Sequence, residues 1–79
     1  MAPEVIDDGV RQVLGEVADG PTTDEALLAL DSIALVELVV RLEERFRIEI
    51  PDTALSDAVF ESVQNLCALV SAQLSRTGS

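Results

Sequence analysis

Apolar and polar positions alternate along the chain with helical rather than strand periodicity. From Pro3 to about Ala18, Ile6, Val10, Val13, Leu14 and Val17 fall on one stripe. Pro3 suits the first turn, and Glu4 stands where the helix dipole favours an acid. Gly9 and Gly15 weaken this helix locally. Asp19-Gly20-Pro21 stops it. A long connection follows, from Gly20 to Asp31, in which Thr22 with Glu25 three residues on can cap a single turn through Leu28. Leu27, Leu28 and Leu30 are expected to pin this connection to the core.

A second long helix is predicted from about Ser32 to Phe46, with Asp31 or Ser32 as its N-cap. Pro51 disfavours helical geometry at Ile50, so Ile48-Glu49-Ile50-Pro51 is a break. Asp52 to Val59 is expected to hold a short helix. Ser62 then opens the last helix, where Val63, Leu66, Cys67, Val70 and Leu74 repeat the i, i+3, i+4, i+7, i+11 template. The pattern gives an all-α fold, a small bundle of three main helices plus one short one. It makes one domain over residues 1–75, with 76–79 as a frayed tail.

The second helix has two apolar faces. Leu35, Leu38, Val39, Leu42 and Phe46 form an ordinary core stripe, while at about 100° per residue Ile33, Val36 and Val40 point nearly the opposite way. Glu37 and Glu44 project from that opposite side, and Glu43 lies beside it. Arg41, Arg45 and Arg47 lie mostly off the strip. Either these apolar residues are exposed as a docking strip with an acidic rim, or the Gly20–Asp31 connection folds over and buries them.

Charge narrows the partners. Fifteen acidic and five basic residues give a formal net charge of −10. Nucleic acid and an anionic membrane surface both repel such a chain; the charge either steers basic protein partners towards it or serves solubility alone. No apolar run is long enough to span a bilayer, and the acidic start of the chain does not resemble a secretory signal. One cysteine allows no internal disulfide, so a reducing, cytoplasmic setting is expected. Cys67 itself reads as a small buried hydrophobe.

Catalytic chemistry is hard to assemble here. There is no His and no Lys, which removes the usual nucleophile activators, the commonest metal ligand and any Schiff-base amine. Asp7-Asp8 and Glu43-Glu44 are sequence neighbours that diverge around a helix, so they do not make a paired acid and base. No enzyme activity and no metal site are expected. Ser32 is then the informative hydroxyl. Alone it reads as a helix cap, but it stands where the long connection meets the two-faced helix.

At these residues the chain resembles the acyl carrier protein superfamily. The likeness centres on Leu30-Asp31-Ser32-Ile33, similar to the family's Asp-Ser-Leu attachment signature. It continues through Val36-Glu37-Leu38-Val39, Leu42-Glu43-Glu44, Phe46 and Ile48-Glu49-Ile50-Pro51-Asp52, then Phe60, Ser62-Val63 and Leu66. Arg47 stands where the family usually has Gly.

The resemblance implies that Ser32, flanked by Asp31, receives a covalent 4′-phosphopantetheine arm from coenzyme A through a Mg²⁺-dependent phosphopantetheinyl transferase. It also implies docking of partner enzymes through Ile33, Val36, Glu37, Val40, Glu43 and Glu44. Leu-Asp-Ser and the Phe60-to-Leu66 run resemble free-standing aminoacyl or peptidyl carriers, while the acidity is similar to that of acyl carriers. The expectation is a discrete, monomeric carrier of acyl or aminoacyl thioesters in polyketide or nonribosomal-peptide biosynthesis. Its partners would be adenylating enzymes, acyltransferases and synthases. The alternative is an unmodified helical adaptor that uses the same acidic-apolar face.

Overall fold

The computed structural model describes the backbone of residues 3–77 and the side chains of residues 4–76. Four α-helices run in the order α1 (Pro3–Ala18), α2 (Asp24–Leu28), α3 (Ser32–Phe46) and α4 (Val63–Thr77). Two 3₁₀ turns, Asp52–Ala54 and Asp57–Phe60, lie between α3 and α4. No strand occurs among the described residues. α4 thus continues through Thr77, two residues into the segment expected as a tail; residues 78–79 lie outside the described residues.

α1 lies against both α3 and α4. The core is built from Ile6, Val10, Val13 and Leu14 of α1, Leu38, Leu42 and Phe46 of α3, and Val63, Leu66 and Val70 of α4. Ile48 and Ile50 close one end, and Leu27 of α2 plugs the side. Removing a leucine such as Leu38 or Leu66 from water contributes about 1.5–3 kcal/mol, so these periodic stripes hold the bundle together.

The ends of the helices follow from local chemistry. α1 stops at Asp19, which takes the left-handed conformation (φ 55°) and donates its N–H to the Gly15 carbonyl at 2.9 Å. A short polar side chain tolerates that geometry better than most. α3 stops at Arg47, also left-handed at φ 56° and ψ 50°. The Ile48 N–H then reaches back to the Glu43 carbonyl at 3.1 Å, the closing bond of a Schellman turn.

Three expectations are corrected. The cap of α2 is Thr23, whose Oγ1 accepts from the Ala26 N–H at 3.2 Å. Thr22 is instead held through its carbonyl, which accepts from Arg11 Nη1 at 2.8 Å. Leu28 is 62% exposed and pins nothing, whereas Leu27 is buried and Leu30 half-buried against the core. The 52–59 segment is two 3₁₀ turns separated by an extended Leu55 (φ −90°, ψ 109°), not one helix. Ala54, Leu55, Val59 and Phe60 all pack towards the core. A tighter turn with a break between satisfies that geometry, whereas four such positions on a short α-helix would not share one face.

Two hydrogen bonds fix the connections around α4. Asp24 Oδ1 accepts from the Val63 N–H at 2.8 Å, tying α2 to the start of α4, and Ser62 Oγ caps the same helix through the Asn65 N–H at 3.0 Å. With α2 clamped to α4, the Gly20–Asp31 connection does not cover α3. The outward face of α3 stays open.

Candidate functional site

Asp31, not Ser32, is the N-cap of α3. Its backbone is extended (φ −80°, ψ 177°) and Oδ1 accepts from the Ala34 N–H at 2.8 Å. The Leu35 N–H bonds to the Asp31 carbonyl at 2.9 Å. Ser32 is therefore the first helical residue, its hydroxyl is not spent on capping, and the residue is exposed. The choice between Asp31 and Ser32 that the sequence left open is decided by these two bonds.

This position has a defined electrostatic character. The N–H groups of Ser32 and Ile33 have no carbonyl four residues back within the helix, and fifteen residues of aligned peptide dipoles end here. A phosphate ester at Ser32 would sit at the favourable end of that dipole. The neighbouring Asp31 carboxylate opposes it in part, but its cap bond turns one oxygen to Ala34 and solvent screens the rest. The donor set and the exposure fit a phosphate-linked arm.

Behind Ser32 the two-faced helix is observed as such. Ile33, Val36 and Val40 are 81%, 64% and 46% exposed, while Leu38, Leu42 and Phe46 are buried. Val36 follows Ser32 by one helical turn, so hydroxyl and apolar strip share one side of α3. Beside the strip, Leu35, Val39, Leu55 and Phe60 line an apolar cleft of about 250 Å³ with Asp52 at its edge. Leu55 and Phe60 come to this cleft from the two 3₁₀ turns, the second of which packs on α4, a long-range closure without sequence periodicity.

The acidic rim is less uniform than spacing implies. Arg41, expected off the strip, donates Nε and Nη2 to Glu37 Oε1 at 3.1 and 2.9 Å and Nη1 to Glu16 Oε1 at 3.2 Å. Glu37, and then Glu16, raise its pKa above the ordinary value. The Glu37–Arg41 pair is an i, i+4 pair and was legible; the reach to Glu16 on α1 was not. Glu43 is half-buried, and its Oε2 accepts from the Ile50 N–H at 2.9 Å. That carboxylate secures the turn after α3. Glu44 is exposed and makes no ion pair among the described residues.

Cys67 lies away from this face. It is half-buried, its Sγ donates to Asp7 Oδ1 at 3.7 Å, and burial followed by the Asp7 charge pushes its pKa up to about 11. A thiol held protonated in this way is a poor nucleophile. Among the described residues no group of three or more His, Cys, Asp or Glu is placed to hold a metal ion. No helix of the described residues is long and apolar enough to cross a membrane.

Comparison with known proteins bears on this arrangement. Residues 4–70 match the family model described as "Phosphopantetheine attachment site". The chain is 37% identical over 59 residues to an acyl carrier protein of Acidothermus cellulolyticus, covering 66% of this chain and 70% of the relative. It is 33% identical over 57 residues to an acyl carrier protein of Thermobifida fusca, covering 63% and 72%. No solved structure gives a significant match.

Proposed function

The chain belongs to the phosphopantetheine-attachment family of acyl carrier proteins, and from that premise we propose that Ser32 is the attachment residue. Members of this family are carriers rather than enzymes, and their cofactor is a covalently attached 4′-phosphopantetheine. They work with a phosphopantetheinyl transferase and with acyl-processing enzymes. When bound, the arm supplies a terminal thiol on which cargo is held as a thioester. Family membership sets aside the unmodified adaptor.

The single observation that supports Ser32 is its freedom: Asp31 caps the helix, so the serine hydroxyl is exposed at the first position of α3. A transferase must bring its own base and metal, since this chain offers no His or Lys near the hydroxyl. What the chain contributes is presentation. The cap fixes the first turn, the helix dipole favours the phosphate, and the apolar strip gives a partner something to bury.

In this reading Ile33, Val36 and Val40 supply the contact area, and Glu44 and Glu37 orient a basic partner. Glu43 acts at the same end chiefly by holding Ile50. The chain serves as a monomeric, cytoplasmic carrier of acyl or aminoacyl groups in polyketide or nonribosomal-peptide assembly. Tethering raises the effective concentration of cargo once a partner has docked. Incubation with coenzyme A and a broad-specificity transferase tests the core of this reading: intact mass is expected to rise by one arm. An unchanged mass contradicts it.

A further inference from the structure

Arg41 stands between α3, which carries the exposed strip, and α1. Its guanidinium bridges Glu37 on α3, one turn back, and Glu16 on α1, at 2.9 and 3.2 Å. The bridge crosses a groove of about 590 Å³ whose walls include Val13, Val40 and Glu44. Arg41 is 42% exposed at its side chain, and Glu16 and Glu37 are each 51% exposed, so a partner can reach all three. The neighbouring cation, Arg45, also lines the groove, with Nη2 donating to Gln12 Oε1 at 3.5 Å and the guanidinium 5.9 Å over the Phe46 ring.

Three carboxylates against two arginines line this groove, which leaves it acidic in a chain of net charge −10 and favours a partner bearing cations. Two of the three are already engaged by a cation of the chain itself. Resting on the reading of α3 as the docking helix, we infer that Arg41 is a built-in competitor for a partner's basic side chain. A lysine or arginine of the partner enters the α1–α3 groove, displaces the Arg41 guanidinium from Glu37 and Glu16, and makes Glu16 of α1 part of the docking surface.

The exchange replaces one solvent-exposed ion pair by another, so it adds little net affinity. It does discriminate. A partner without a cation at this point leaves the Arg41 bridge in place, and a partner with one binds no tighter than the exchange allows. Weakening through faster dissociation suits a carrier that must leave each enzyme after transfer.

Arg41→Gln keeps a stem of similar shape and removes the competitor. With a phosphopantetheinyl transferase as probe, the KM for the carrier is expected to fall about two- to fivefold at low ionic strength, the span an exposed pair supports. The gain should vanish when Glu16 and Glu37 are both changed to Gln in the same background. Arg47→Gln changes net charge equally beyond the end of α3 and is expected to leave KM near wild type. Should Arg41→Gln melt early, Arg41→Lys, which keeps charge but loses the fork, gives an intermediate fall.

A KM at or above wild type in these Arg41 variants overturns the inference, as does an equal fall in Arg47→Gln. If wild type gains no arm by mass, the attachment reading fails and this inference fails with it. If wild type loads and Arg41→Gln shows no fall, the inference fails alone.

Discussion

The ring of Phe46 stands so close to Gly9 that a Cβ added to Gly9 would lie 2.6 Å from the ring's Cζ. Gly9 is thus the place where α1 lets the end of α3 approach, and its weak helix propensity is offset by that packing. Gly15 differs: its nearest neighbour for an added Cβ is the Thr22 methyl at 3.2 Å. Replacing a helical Gly by Ala ordinarily stabilises by about 1 kcal/mol. Overpacking at a buried ring costs about 1–3 kcal/mol. Gly9→Ala is therefore expected to destabilise by about 1 kcal/mol, while Gly15→Ala is neutral or mildly stabilising. Urea denaturation of the two variants checks the difference in sign.

Arg47 occupies a left-handed position with an exposed side chain. Residues with a Cβ are strained there, and Gly is not. Arg47→Gly is expected to stabilise by about 0.5–1 kcal/mol, the gain being trimmed by the greater freedom of Gly in the unfolded chain. In a domain of this size that is a rise of a few degrees in Tm, on the order of 4–8 °C per kcal/mol. A lower Tm would mean that the Arg47 side chain contributes more than its backbone costs.

The apolar strip is tested most cleanly at Val36 and Glu44. Both are exposed, so Val36→Asp and Glu44→Arg are expected to leave helicity by circular dichroism unchanged. Val36→Asp should raise the transferase KM by about fivefold or more, as loss of a central apolar contact does. Glu44→Arg should raise it less, and more at low salt than at high salt. Glu37→Arg is a poorer test because it also sets like charges at Arg41. Loss of helicity in Val36→Asp would make the strip part of the core.

Cys67 gives a pH signature. Its folded pKa is raised from 9.0 to about 11, first by burial and then by Asp7. Because the unfolded thiol ionises first, the contribution to stability is complete below about pH 9 and declines as pH rises towards 11. Denaturation midpoints between pH 8 and 11 should fall more steeply for wild type than for Cys67→Ala. Equal slopes would show that the thiol titrates normally in the fold.

Much of this arrangement is legible in the chain because it depends on local rules. Pro3, the Asp19-Gly20-Pro21 stop and the 3.6-residue stripes place α1, α3 and α4, and the second apolar face of α3 is visible as Ile33, Val36 and Val40. What is not legible depends on partners distant in sequence. Thr22 reads as the cap of α2 from its spacing to Glu25, yet Thr23 supplies the cap, and Thr22 is held through its carbonyl by Arg11 eleven residues earlier. Glu43 looks like another rim carboxylate until Ile50 claims it, and Glu16 looks unrelated to α3 until Arg41 bridges to it. Asp31 and Ser32 are both good caps by type. Only the geometry of the first turn decides between them.

That decision carries the account, and Ser32→Ala tests it directly. Wild type, Ser32→Ala and Asp31→Ala are each incubated with coenzyme A and a broad-specificity transferase, then measured for intact mass and Tm. The account predicts one added arm on wild type and none on Ser32→Ala, whose Tm stays at the wild-type value because the cap is elsewhere. Asp31→Ala should lose about 1 kcal/mol with the cap yet still load, more slowly. An arm on Ser32→Ala, or none on wild type, would contradict the claim that this serine holds the cargo arm.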